Sequence, residues 1–312
     1  MRTSFIASLS EIAADNPDVW LLCGDLGYSV LEPFAARFPD RYINVGVAEQ
    51  NMAGIAAGIA LSGKTVFIYS IGNFPTLRCL EQLRNDVCYH GADVKVVAVG
   101  AGYAYGSQGY THHALEDVAI MSMLPSIEVF VPCDPVEVRA ATHLIAASGK
   151  PSYLRLSRAG EPVLSATAPD DIRRPRRLRE GRQVVVLASG PIAAECLEAA
   201  AELAKKGLDV GVISVSCLKP FDDEFIRNIA RDASLVVTVE EHMLRGGLFS
   251  VVATALAAEP RRTPAIGIGI PELGGKISVA GSRETLLRAA GLSAGAIVDR
   301  IGRAMATMSL PQ

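Results

Sequence analysis

A single carboxylate, Glu49, lies in an otherwise apolar and glycine-flanked stretch, residues 45–52, with the sequence Val-Gly-Val-Ala-Glu-Gln-Asn-Met. A short strand-like segment precedes this stretch, and a helical pattern of small residues over 51–61 follows it. A carboxylate at such a strand-to-helix junction is shielded from water, so it can share a proton with a ring nitrogen of a bound heterocycle. The same position also suits a glutamate that complements a helix dipole.

Two adjacent histidines, His112 and His113, lie in a loop of glycines and polar residues over 106–113. Adjacent histidines on such a loop are not typical of core packing. We therefore expect one of them to bond substrate hydroxyls or to shuttle protons near neutral pH. They do not predict a metal site, because no carboxylate or third histidine has the spacing of a ligand.

Two further polar residues follow strand-like runs. Arg158 ends the segment Leu-Arg-Leu-Ser-Arg, and its guanidinium could hold a phosphate through two parallel hydrogen bonds. Asp25 follows the first strand-like run of the chain. Because α/β sheets place ligand-binding loops at the ends of their strands, we expect Asp25 at the edge of a substrate site.

Two other motifs fail on context. Residues 58–65 match the phosphate-binding P-loop pattern, but a helix precedes them and a strand follows, which is the reverse of the order that a P-loop requires. Lys64 is then a solvated loop residue. The glycines of 100–106 follow a strand-like run, but their spacing is one residue too long for a dinucleotide fingerprint and no helix opens there. They predict a loop that passes close to a ligand.

The elements that must position these residues alternate between strands and helices, which predicts an α/β fold with a parallel sheet covered on both faces. Strand-like runs occupy 19–24, 65–69, 94–99, 127–131 and 153–156, and helical patterns occupy 3–15, 50–61, 76–89, 114–123 and 135–148. A polar, arginine-rich segment over 166–182 predicts a linker. A smaller α/β unit follows, with strands at 184–187, 210–214, 235–239 and 265–270, a helix at 192–206 and terminal helices from 282.

Several blocks in this order resemble the transketolase family. Residues 38–52, Phe-Pro-Asp-Arg-Tyr-Ile-Asn-Val-Gly-Val-Ala-Glu-Gln-Asn-Met, are similar to the pyrimidine-domain signature of transketolases and deoxyxylulose-phosphate synthases. The other similar blocks are 69–84, 106–117, 154–158 and 239–242, the last followed by Gly246 and Gly247. The resemblance covers the second half of a full-length transketolase. It implies a pyrimidine-binding domain over 1–165, a linker over 166–182 and a transketolase C-terminal domain over 183–312.

The resemblance implies thiamine diphosphate as the cofactor. Glu49 would bond the aminopyrimidine and drive the tautomer that activates the thiazolium carbon, with Gly46 beside the ring. Phe74 would supply the flat apolar wall that the ring needs, and Tyr69 is a weaker candidate for the same role.

The resemblance also assigns the substrate site. His112, in a Thr-His pair, would line the substrate channel, and Arg158 would bind substrate phosphate. Gln108 stands where many transketolases have an aspartate that recognises a sugar hydroxyl, and Gly100 stands where many have a phosphate-binding histidine. These departures leave open a specialised sugar or a non-sugar acceptor.

The chain lacks the Gly-Asp-Gly motif with which full-length relatives hold the diphosphate through Mg²⁺, since Gly24-Asp25 is followed by leucine. We therefore expect the Mg²⁺ ligands on a partner, a transketolase N-terminal subunit. The expected assembly is an α2β2 heterotetramer with homodimer contacts through this chain.

Composition excludes several classes of function. The chain has 312 residues, is 50% hydrophobic and 20% charged, and carries a net charge of −3, so it is globular and has no charge footprint for nucleic acid. No signal peptide or membrane-spanning run is expected. Its six cysteines have no metal-ligand spacing and indicate a reducing cytoplasm.

Three functions remain open. The first is the pyrimidine-binding subunit of a split transketolase, which transfers a two-carbon ketol unit from a ketose to an acceptor. The second is the β subunit of a 2-oxo-acid dehydrogenase. In those subunits a His-Ser-Gln run usually stands where this chain has residues 110–113. The third is a catalytically silent partner subunit, against which Glu49 counts.

Overall fold

The computed structural model describes residues 1–158, 160–259, 263–271 and 280–308. The N-terminal part folds around a sheet of six parallel strands with helices on both faces. Its strands are β1 (Val19–Cys23), β2 (Tyr42–Asn44), β3 (Thr65–Ile71), β4 (Val94–Val99), β5 (Glu128–Phe130) and β6 (Ser152–Leu156). Its helices are α1 (Arg2–Asp15), α2 (Glu32–Arg37), α3 (Glu49–Leu61), α4 (Phe74–Leu77), α5 (Leu80–Gln82), α6 (Asp117–Met123) and α7 (Pro135–Ala147). The α/β fold with a parallel sheet is thus confirmed.

Two apolar layers cover the sheet, one on each face. Because side chains alternate along a strand, Phe67 of β3 packs with Phe5 of α1, while Ile68 faces the other way and packs with Met52 of α3. Burial of these layers removes most of the strand side chains from water, which is the main force that holds the sheet to its helices.

The ends of the helices follow local chemistry. Asp134 accepts a hydrogen bond from the Glu137 backbone N–H at 2.8 Å, and Pro135 takes the first position of α7, as the sequence predicts. The helix expected over 76–89 is instead divided into α4, α5 and a π-helical segment, Leu83–Tyr89. Cys79 interrupts it with φ −120° and ψ 26°, outside the helical region.

The P-loop match is confirmed as a false one. Helix α3 ends at Leu61 and β3 begins at Thr65, so no helix N-terminus faces the segment between them. Lys64 forms an ion pair with Asp18, with 2.6 Å between Nζ and Oδ1, at the surface.

The C-terminal part folds around a second, five-stranded sheet of order β12-β11-β8-β9-β7. Its strands are β7 (Arg176–Arg179), β8 (Val184–Ser189), β9 (Val210–Ser214), β11 (Leu235–Met243) and β12 (Ala265–Ile270), with helices α8 (Ala193–Lys205), α9 (Asp223–Asp232), α10 (Leu248–Ala257), α11 (Arg283–Ala289) and α12 (Ala294–Met308). Strand β7 lies inside the segment that the sequence predicts as a linker. It pairs antiparallel with β9 and forms an edge of the sheet.

The two parts share a sheet as well as an interface. Strand β10 (Cys217–Lys219) leaves the C-terminal part and pairs antiparallel with β5, so it becomes an edge strand of the first sheet. Glu137 of α7 accepts hydrogen bonds from the Ser214 and Ser216 hydroxyls across the same junction. Within the described ranges, no helix is long and apolar enough to cross a membrane.

Candidate active site

The site lies at the carboxyl ends of the parallel strands, where the loops after β1, β2, β3, β4 and β6 meet. This is the edge at which α/β sheets place their ligands. The loops after β4 and β6 join through the Gly100 backbone N–H, which donates to the Leu156 carbonyl at 2.8 Å.

Glu49 is the first residue of α3 and is only 3% exposed. Its carboxylate packs close to the loop after β1, since a Cβ added at Gly24 would lie 3.6 Å from Glu49 Oε1. Arg78 Nη1 donates to both carboxylate oxygens, at 3.2 Å to Oε1 and 3.1 Å to Oε2. A buried carboxylate needs such a partner, because an unpaired charge away from water is costly.

Arg78 also joins Glu49 to the aromatic part of the site. Its guanidinium lies 3.9 Å from the centroid of the Phe74 ring, and Phe74 in turn makes an edge-to-face contact with His112, with centroids 5.3 Å apart. The sequence analysis did not place Arg78 in the site. The signal available was its position four residues after Phe74, which puts the two side chains on one helical face.

His112 is half-buried, and its Nδ1 lies 2.9 Å from the Thr111 hydroxyl. Burial, the neighbouring His113 and the Arg78 charge lower the pKa of His112 below its ordinary value. The ring is therefore neutral near pH 7 and can exchange a proton with a substrate hydroxyl through Nε2.

Asp25 and Gly46 lie beside Glu49 and are connected by Asn44. Asn44 Oδ1 accepts hydrogen bonds from the backbone N–H groups of Asp25 and Gly46, both at 3.0 Å, and its Nδ2 donates to Asp25 Oδ1 at 3.0 Å. Asp25 has φ +53° and Gly46 has φ +74°. Both loops therefore turn sharply at the same point, and Asn44 holds them together.

Two predicted site residues lie in the interior instead. Tyr69 is fully buried and stacks on Phe5 at 6.0 Å, on the face of β3 opposite to α3 and Glu49. Burial raises the pKa of its hydroxyl. His113 is also fully buried, with Nε2 3.1 Å from the Gly106 carbonyl and its ring against Tyr103. Without exposed atoms, neither side chain can contact a ligand, and both expectations are corrected to core roles.

Arg158 and Gln108 remain exposed at the same edge of the sheet. Gln108 ends a 3-10 turn, Gly106–Gln108, just before the His112 loop. Arg158 follows β6 and lies over the Tyr105 ring, with 5.7 Å to the ring centroid. Among the residues that the structure describes, no three His, Cys, Asp or Glu side chains are grouped to hold a metal ion.

Comparisons with known proteins agree with this geometry. The family model of the transketolase pyrimidine-binding domain matches residues 1–161, and that of the transketolase C-terminal domain matches residues 174–297. The chain belongs to the transketolase family. The pyrimidine-domain and C-terminal-domain content expected from the sequence is thereby confirmed.

Relatives in the transketolase family have similar length. One of the two subunits of an apulose-4-phosphate transketolase from Phocaeicola vulgatus is 35% identical and covers 87% of each chain. A 6-deoxy-6-sulfo-D-fructose transketolase subunit from Clostridium sp. is 36% identical and covers 89% of this chain and 87% of its own. The structure described as "split gene transketolase, inactive beta4 tetramer" superposes with a TM-score of 0.88, at 35% identity over 98% of both chains.

These findings decide among the three functions left open by the sequence. The chain is a subunit of a thiamine diphosphate-dependent transketolase, a transferase, and the 2-oxo-acid dehydrogenase alternative is not favoured. They do not test the individual site residues.

Proposed function

We propose that this chain supplies the pyrimidine side of a split transketolase site and transfers a two-carbon ketol unit from a ketose to an aldehyde or another acceptor. The observation that carries the proposal is the buried Glu49 carboxylate, which faces the loops after β1 and β2 and lies within one arginine of an aromatic ring. A protein interior holds a lone carboxylate at such a place when it has a partner to bond.

The residues around Glu49 fit the aminopyrimidine of thiamine diphosphate. A Cβ added at Gly46 would meet no atom within 4 Å, which leaves open space next to the carboxylate. Phe74 offers a half-buried ring as an apolar wall, so that the edge of a heterocycle can meet Glu49. When bound, thiamine diphosphate supplies a carbon nucleophile and an electron sink for the two-carbon unit.

Glu49 and His112 would divide the proton transfers between them. Glu49 would hold a proton at the oxygen that faces the pyrimidine ring nitrogen, and Arg78 would keep the other oxygen in place. His112 Nε2 would accept a proton from a substrate hydroxyl and return it to the product, because its low pKa keeps the ring neutral. Gln108 and Asp25 would bond other substrate hydroxyls at the edge of the site.

The substrate we infer carries an anionic group at the end remote from its reacting carbonyl. Arg158 is the exposed cation at this edge of the sheet, and guanidinium binds phosphate and sulfonate oxygens well. Two relatives are named for ketoses with such groups, a phosphate in one and a sulfonate in the other.

We also infer a partner with the diphosphate-binding domain and the Mg²⁺ ligands, in an α2β2 heterotetramer. Large apolar side chains near the site support a covering partner, since Val47 is 73% exposed, Leu77 47% and Tyr110 46%. A cytoplasmic location is consistent with six buried cysteines, all in the thiol form.

Co-expression with a transketolase N-terminal subunit tests the proposal. Ketol transfer from a ketose to an aldehyde should appear with both chains, thiamine diphosphate and Mg²⁺, and should be absent with either chain alone. Decarboxylation of a 2-oxo acid without ketol transfer would favour the dehydrogenase alternative. No turnover with any such partner would favour a silent subunit.

A further inference from the structure

Tyr105 occupies space that Gly100 leaves open. Gly100 ends β4 with φ +100°, and a Cβ added there would overlap the Tyr105 ring at Cδ2 and Cε2. The ring lies flat against the glycine and packs on the apolar layer below the sheet. Any larger residue at position 100 would therefore displace Tyr105.

Arg158 lies on this same ring. Its guanidinium is 5.7 Å from the Tyr105 centroid, within the range of a cation–π contact. Its backbone carbonyl accepts a hydrogen bond from Arg2 Nε at 2.7 Å, which fixes the main chain beneath the side chain. In the described part of the chain, no carboxylate forms an ion pair with Arg158. The guanidinium is thus oriented by an aromatic face and its hydrogen-bond donors are open to a ligand.

A cavity of about 520 Å³ between the two parts of the chain adjoins this cation. Ser107 and Arg158 line it, together with the carboxylates of Glu161 and Glu195. Because those carboxylates repel an anion, a negatively charged group would bind at the exposed guanidinium and not deeper in the cavity.

We propose that Tyr105 is a positioning residue that orients Arg158 toward an anionic group of the sugar substrate, and that Gly100 makes this possible by giving the ring its place. The inference rests on the proposed function for the identity of the substrate. The family resemblance places a histidine at position 100 in many transketolases, and such a side chain would exclude the Tyr105 ring from where it lies here. Tyr105 and Arg158 would then replace that direct contact with a single oriented arginine.

Titration of the native chain with inorganic phosphate tests the proposal without turnover. Tyr105→Leu removes the π face but keeps an apolar side chain, and it should weaken phosphate binding about 2- to 5-fold. Tyr105→Phe keeps the face and should retain wild-type affinity. Arg158→Ala should weaken binding by more than about 10-fold. Tyr89→Leu, at a position 81% exposed and outside the site, is the matched control.

The double variant separates positioning from a structural role. If Tyr105 acts through Arg158, Tyr105→Leu should have no further effect on phosphate affinity in the Arg158→Ala background. Equal losses in both backgrounds would overturn the proposal. So would unchanged affinity in Tyr105→Leu, or no phosphate binding to the wild-type chain at millimolar concentration. Thermal unfolding of each variant shows whether it is folded.

The assembled enzyme gives an independent reading. The ratio of kcat/KM for xylulose 5-phosphate to that for xylulose should fall about 2- to 5-fold in Tyr105→Leu, through KM, and should stay at the wild-type value in Tyr105→Phe. Turnover with an unchanged ratio would overturn the role of Tyr105 and leave the proposed function intact. No turnover in the wild-type assembly would instead count against the proposed function, while the phosphate titration still decides the role of Tyr105.

Discussion

Glu49 combines near-complete burial with a position at the start of a helix, and this combination makes it the residue on which catalysis should depend. Glu49→Gln keeps the size and the hydrogen-bonding capacity of the side chain but removes the proton that it would share with the cofactor. Ketol transfer by the assembled enzyme should fall by at least about 10²-fold. The free energy of unfolding should change by no more than about 1 kcal/mol, because only one ion pair is lost. Wild-type turnover in this variant would remove Glu49 from the mechanism.

Arg78 stabilises the Glu49 carboxylate, and its removal should be felt through that residue. Arg78→Met retains most of the aliphatic length, and it should lower the free energy of unfolding by about 1 kcal/mol, since Arg78 itself is half-exposed. In the Glu49→Gln background the same substitution should cost almost nothing.

Urea unfolding of the four chains of this cycle gives the coupling energy directly. Arg84→Met is the matched control, because the Arg84 side chain bonds only to its exposed neighbour Asn85 among the described residues. Additive effects of Arg78→Met and Glu49→Gln would contradict the pairing.

The sequence predicted Glu49, Phe74 and His112, and the structure brings these three together in one cluster through Arg78. It did not distinguish them from Tyr69 and His113. Tyr69 lies on the wrong side of β3, and the side on which a strand residue points depends on its register against its neighbours. His113 is buried because the loop after β4 folds back over it, a non-local contact that adjacent residues do not encode.

At the scale of elements, Asn44 at the end of β2 decides how the loops after β1 and β2 meet. Asn44→Ala removes three hydrogen bonds at once and should lower the free energy of unfolding by about 1–2 kcal/mol. Because both loops flank Glu49, the concentration of thiamine diphosphate needed for half-maximal activity should rise while kcat changes little.

Asn44→Asp is the informative comparison for this element. It keeps the oxygen that accepts from the two backbone N–H groups but places a second negative charge beside Asp25. Its effect on cofactor affinity should lie between those of the wild type and Asn44→Ala at low pH and approach that of Asn44→Ala as the new carboxylate ionises. An unchanged cofactor requirement in both variants would show that these loops do not position the site.

The strands of the first sheet were predictable because their apolar runs are long and bounded by turn residues. Strands β7 and β10 were not. Residues 176–179 are arginine-rich and become a strand only because β9 offers an edge to pair with. Cys217–Lys219 is too short to show a period, and its partner β5 lies in the other part of the chain. Both strands depend on tertiary pairing rather than on local pattern.

At the scale of the whole molecule, a buried polar network joins the two parts of the chain. Arg155 of β6 donates to Asp117 and, through Nη2, to the Glu241 carbonyl at 3.2 Å. Tyr103 N–H donates to the Glu241 carboxylate at 2.7 Å, and Arg283 pairs with the same carboxylate. These groups connect β6, the loop after β4 and β11. The orientation of the second part therefore depends on the charge state of the junction.

His242 is the group in this junction whose charge should change first as the pH falls. Its Nδ1–H donates to the Met243 carbonyl at 2.6 Å, and its Nε2 accepts from the Ala119 N–H at 3.5 Å. The ring is therefore neutral, although Asp117 and Glu240 lie within 3.9 Å and 3.8 Å of its nitrogens. Burial, which outweighs the attraction of Asp117, lowers the pKa of His242 to about 4.

This pKa predicts an acid-sensitive junction. The unfolded chain takes up a proton on His242 below about pH 6.5, whereas the folded chain does so only near pH 4, so stability is complete above pH 6.5 and declines toward pH 4. Between pH 7.5 and pH 5.0 this one group should lower the free energy of unfolding by about 2 kcal/mol. His242→Gln does not titrate, and in urea unfolding at the two pH values it should lose about 2 kcal/mol less than the wild type. An equal loss in both chains would show that His242 is charged in the folded protein, and that the junction is held at neutral pH by an ion pair with Asp117 instead of a neutral ring.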